Sequence, residues 1–137
     1  MCLKVVSSFL ILFLLTSCSK DATISIVKEN IPKEKISCLT LKIFPPNKNL
    51  QENLEKLYDF TPECPIVLEA STKSSIVCNS KFNYQQKAVN GFPSSYLKLQ
   101  LSQNSSMIYS YYVDLESDVS SDDIKTAFSR MRDDLGI

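Results

Sequence analysis

An α+β domain is predicted by three observations. The segment from Ser120 to Gly136 carries an apolar stripe at helical spacing behind a helix-start signal. A second such stripe lies between Asn47 and Tyr58, and most of the remaining apolar residues after Ile36 alternate with polar ones at a period of two. Strands and amphipathic helices following one another in a short chain predict an antiparallel β-sheet of four to five strands with two helices packed on one face. The expected order is β-α-β-β-β-β-α.

Ile36 to Phe44 predicts the first strand, with Leu39, Leu41 and Ile43 on one face and Cys38, Thr40, Lys42 and Phe44 on the other. Pro45-Pro46 ends it. Asn47 or Asn49 then caps a helix whose stripe is Leu50, Leu54, Leu57 and Tyr58. Two prolines in Thr61-Pro62-Glu63-Cys64-Pro65 make that stretch a loop. Strands are expected over Pro65–Ala70 and Ser75–Tyr84, joined by a turn at Ser71-Thr72-Lys73-Ser74. Gln85 to Ser95 reads as a loop. Tyr96–Leu101 and Met107–Leu115 alternate cleanly and flank the polar turn Gln103–Ser106, which predicts a hairpin. The last helix starts at Ser120 or Ser121 in a capping box with aspartate, carries Ile124, Ala127, Phe128, Met131 and Leu135, and ends at Gly136.

The N-terminus reads differently. Lys4 precedes an apolar run from Val5 to Leu15, and Leu15-Thr16-Ser17-Cys18 closes it. As a helix this run reaches about 16 Å, against about 30 Å of bilayer hydrocarbon, so it does not predict a membrane span. Leu-Thr-Ser-Cys behind such a run resembles the lipobox of bacterial lipoproteins. The resemblance covers residues 1 to about 20 and implies that residues 1–17 are a signal peptide. It also implies that Cys18 carries acyl chains such as palmitate and that the mature chain is anchored to a membrane, facing the periplasm. More than one acyl chain gives stable attachment. Ser19-Lys20, with no aspartate directly after the cysteine, favours the outer over the inner membrane in a Gram-negative envelope. Residues 18–35, polar and broken by Pro32, predict a flexible tether, within which Thr23–Val27 alternates weakly as a candidate edge strand. Residues 36–137 are left as a single domain.

Composition narrows the chemistry. Lys+Arg 15 balance Asp+Glu 15, and loss of Lys4 with the signal leaves the mature chain one charge negative, which gives no footprint for nucleic acid. The two glycines, Gly91 and Gly136, do not build a phosphate-cradling loop. Histidine is absent, which removes Ser-His-Asp and Cys-His catalysis and His-ligated zinc. No carboxylate pair converges from separate elements, so no catalytic residue is assigned. Cys38, Cys64 and Cys78 have no C-x-x-C spacing, and neither a metal nor another cofactor is expected. Outside the cytoplasm, two of these three should pair. Cys64 with Cys78 is the first candidate, since it closes a fifteen-residue loop, and Cys38 with Cys78 is the rival.

The remaining enrichment is tyrosine. Tyr96, Tyr109, Tyr111 and Tyr112 lie on the two hairpin strands. Strands favour tyrosine for packing, and binding surfaces are rich in it, so these four form the candidate recognition face. The chain is expected to be a non-catalytic, membrane-anchored envelope protein that joins another envelope protein in an assembly. Binding of a small apolar ligand between sheet and helices is the alternative.

Overall fold

The computed structural model describes residues 21–76 and 93–137. Eight segments follow in chain order. They are β1 (Thr23–Ile26), a 3-10 turn (Lys28–Asn30), β2 (Thr40–Ile43), α1 (Lys48–Leu57), β3 (Ile66–Lys73), β4 (Ser95–Gln103), β5 (Ser106–Leu115) and α2 (Ser121–Leu135). The α+β class and the two helices are as expected. The sheet is not wholly antiparallel: β2 runs parallel to β3, and the spatial order is β1-β5-β4-β3-β2. Crossing from β2 to β3 through α1 brings the chain back in the same direction, as a helical crossover requires.

The hairpin of β4 and β5 is the sheet's centre. Its turn residues Asn104 and Ser105 both have positive φ, 50° and 65°, the combination that matches the twist of a two-residue hairpin. Leu97, Leu99 and Leu101 of β4 face Val113, Tyr111 and Tyr109 of β5. A bulge follows: Tyr109 opposes Leu101 and Met107 opposes Ser102, which leaves Ile108 unpaired in the ladder. Ile108 and Tyr109 are both fully buried there.

The expected turn at Ser71–Ser74 is corrected. β3 continues through it, with Ser71, Thr72 and Lys73 opposite Lys98, Leu97 and Tyr96. The Thr72 hydroxyl donates to the Tyr96 carbonyl at 2.7 Å. Turn-type residues here have a long antiparallel partner that satisfies their backbone, and β-branched threonine suits a pleated strand. Most of the strand expected over Ser75–Tyr84, and with it Cys78, lies outside the described residues.

Within the segment expected as a tether, the candidate edge strand at Thr23–Val27 is present as β1, at one edge of the sheet. Thr23–Ile26 pair with Tyr112–Tyr109, and the Val27 N–H donates to Ile108 O at 2.9 Å. Asn30 Nδ2 then donates to Met107 O at 2.7 Å. A sheet strand therefore stands ahead of β2, and the order among the described residues is β-β-α-β-β-β-α. The first expected strand is shorter than Ile36–Phe44: β2 covers Thr40–Ile43, the Phe44 N–H adds one more bond to β3, and Ile36 and Leu39 are buried beside it.

Both helices cover one face of the sheet. Asn47 caps α1 by accepting from the Leu50 N–H at 2.9 Å, and Leu50 and Leu54 are buried. Ser120 and Asp123 form a reciprocal capping box on α2, and Gly136 closes it in the left-handed conformation at φ 68°. Ile124, Ala127, Phe128 and Met131 sink into the core. Tyr58, Phe60 and Phe128 meet in an aromatic cluster, with centroids 5.1–6.3 Å apart, where the end of α1 reaches α2.

Candidate functional site

Cys64 bonds to Cys38, with Cα atoms 5.9 Å apart. This corrects the expected Cys64–Cys78 pair. The parallel β2–α1–β3 arrangement returns the chain to the base of β2, and that return sets Cys64 beside Cys38. The Thr40 hydroxyl donates to Thr61 O at 2.7 Å, and Cys64 O lies 2.9 Å from the same hydroxyl. Bond and hydroxyl together fasten the loop before β3 to the start of β2. In the chain-entropy picture, a crosslink over 26 residues stabilises by about 3.5 kcal/mol.

The four tyrosines of the expected recognition face divide between the two sides of the sheet. Tyr109 and Tyr111 lie under α2 and are buried. The Tyr109 hydroxyl donates to Asp134 at 2.9 Å, and Arg130 Nε donates to both oxygens of the same carboxylate at 2.9 and 3.0 Å. Burial, followed by the Asp134 hydrogen bond, holds the Tyr109 phenol protonated well above the ordinary tyrosine range. Burial is also the main cause of the upward shift at Tyr111, with the charge of Asp123 second. These two tyrosines pack and orient α2. They do not present a surface.

Tyr96 and Tyr112 occupy the opposite face, which no described element covers. Their rings stack with centroids 5.6 Å apart and planes 24° from parallel. The Tyr112 hydroxyl donates to Asp114 at 2.8 Å, which pushes the phenol up to about 12, with burial as the second cause. Lys98 stands opposite Tyr112, Lys73 opposite Tyr96, and Glu69 opposite Gln100. Among the described residues this is a polar face carrying the Tyr96–Tyr112 pair.

A different feature was not found from the sequence. The edge formed by β2 borders a groove of about 320 Å³ lined by Leu41, Ile43, Pro46, Gln51 and Glu55. Leu41 and Ile43 oppose Leu68 and Ala70, so their side chains point to the helix face, and α1 supplies the far wall. Gln51 Nε2 donates to Glu55 Oε1 at 2.8 Å along that wall. At the end of the edge stands Phe44, 73% exposed. Proximity of strand and helix needs the crossover, and the strand's pattern alone gives no signal of it.

Cys18 lies outside the described residues. Among the described residues, no cluster of acids and cysteines could hold a metal ion, and no helix is long and apolar enough to cross a membrane. No protein-family model, curated protein or solved structure matches this chain.

Proposed function

We propose that this protein is a non-catalytic lipoprotein, anchored in the bacterial cell envelope through acylated Cys18, that serves as an interaction and assembly module. The observation that carries the reading is Leu15-Thr16-Ser17-Cys18 at the end of an eleven-residue apolar run, Val5–Leu15. The Cys38–Cys64 bond accords with it, because disulfides persist in oxidising compartments. The partner is another envelope protein. A periplasm-facing outer-membrane position follows the same reading, on Ser19-Lys20 after the lipidated cysteine.

The anchor then sits near one edge of the sheet. The chain between Cys18 and Thr23 spans at most about 18 Å fully extended, so β1 stays close to the lipid headgroups. The opposite edge, β2, faces away from the attachment point across the sheet.

The test is in vivo cross-linking of the C-terminally tagged chain in its own envelope, with Cys18→Ala as the comparison. The expected result is membrane fractionation that Cys18→Ala abolishes, and one dominant cross-linked partner that it reduces. Unchanged fractionation of Cys18→Ala would defeat the anchor, and absence of any partner would defeat the module.

A further inference from the structure

The β2 edge bears on the partner's chemistry, a question that rests on the interaction-module reading. The Phe44 N–H donates to Ala70 O at 3.2 Å. In a parallel ladder one set of alternate residues uses its backbone groups on the neighbouring strand. Thr40, Lys42 and Phe44 are that set, so the N–H and C=O groups of Leu41 and Ile43 point away from β3 at the edge. The outward carbonyl of Leu39 is taken by the Thr61 N–H at 2.8 Å, so among the described residues the open part of the edge begins at Leu41. Between Leu41 and Phe44 it carries no proline and its register is unbroken, and Pro45-Pro46 ends it.

Three properties coincide here. Outward backbone groups alternate with the inward-bonded ones, the Leu41 and Ile43 side chains line a groove, and exposed Phe44 stands at the strand's end. We propose that β2 takes up an extended segment of a partner protein as a sixth strand. Apolar side chains at alternate positions of that segment enter the groove between β2 and α1. Between them, on the other face, an acidic residue meets exposed Lys42.

Charge argues for a different protein over a second copy of this chain. Pairing β2 with its own copy so that Leu41 opposes Ile43 sets Lys42 directly against Lys42, and like charges directly opposite one another are destabilising. The location also suits a partner. Four strand spacings of about 4.8 Å separate β2 from β1, so a strand docked beyond β2 lies five spacings, about 24 Å, from the anchored edge.

The experiment pans a display library of short random peptides on the full chain in detergent micelles. An apolar–acidic–apolar pattern is expected to enrich. Adding an enriched peptide should slow amide exchange at Leu41 and Ile43. Ile43→Pro removes an outward N–H that the protein's own sheet does not use, and should weaken that peptide about tenfold. Lys42→Glu should reverse the preference from acidic to basic peptides, and this readout stands even where Ile43→Pro lowers thermal stability. No enrichment, equal binding to Ile43→Pro, an unchanged preference with Lys42→Glu, or protection at β1 would each overturn the proposal. Protection of Leu41 and Ile43 without peptide, in a protein that sediments as a dimer, would overturn it in favour of self-pairing. Micelle binding does not depend on the acyl anchor. An in vivo partner retained by Ile43→Pro would defeat the edge alone, whereas no partner at all would defeat the module reading.

Discussion

On the helix-covered side of the sheet, Tyr109 is fully buried and its hydroxyl is held by a carboxylate that also binds Arg130. On the other side, Tyr112 stacks on Tyr96 and donates to Asp114 in its own strand. The residue type, strand and hydrogen-bonding chemistry are the same, yet the roles differ. Tyr109 ties two layers together and its removal disturbs both. Among the described residues Tyr112 interacts within one layer, and water replaces what is lost. Burial by α2 makes the difference.

Core truncation should break this comparison most sharply. Leu99→Ala beneath the helices should cost about 2–5 kcal/mol in urea unfolding, because it removes buried methyls and leaves a cavity. Gln100→Ala, one residue along on the open face, should cost less than about 0.5 kcal/mol. Similar losses at both positions would mean that the open face is covered too.

Next in size is the crosslink. Cys38→Ser in the oxidised protein should lower stability by up to about 3.5 kcal/mol, and Cys64→Ser should match it. A thiol assay should find one more free sulfhydryl in each variant than in the parent.

Tyr109→Phe should cost about 1–3 kcal/mol, since a buried hydrogen bond to a charged acceptor is lost. Tyr112→Phe should change the unfolding midpoint by less than about 0.5 kcal/mol.

Alkaline pH sharpens the same contrast. Tyr109 holds its proton more tightly folded than unfolded, so its contribution is complete below the unfolded tyrosine value of about 10 and is lost as pH rises above it. Tyr112 has the same sign over a window from about 10 to about 12, but its exposure makes its share smaller. Urea midpoints at about pH 8 and about pH 11 should converge more in Tyr109→Phe than in Tyr112→Phe. Equal behaviour would remove the distinction between the faces.

Much of this fold was legible because its signals are local. The α2 capping box needs Ser120 and Asp123 three residues apart, and Gly136 ends the helix within the next turn. Asn47 caps α1 across three residues, and Asn104-Ser105 turns a hairpin whose strands adjoin it in sequence. At Ser71–Lys73 the same local reading failed, because β4 rather than turn chemistry decides the backbone there. The strands' period of two separated Tyr111 from Tyr112, but not which tyrosine shares a side with Tyr96.

The sequence by itself determined both helices with their caps, the β4–β5 hairpin and the apolar faces that meet in the core. Each rests on hydrogen bonds or periodicity within a few residues. Tertiary structure decided the parallel pairing of β2 with β3, the docking of β1 on β5, the Cys38–Cys64 bond and the division of the tyrosines. It also set α1 beside β2 to form the groove. Those features join residues far apart in the chain, and only the closing of the β2–α1–β3 crossover and the register of the sheet bring them within contact distance.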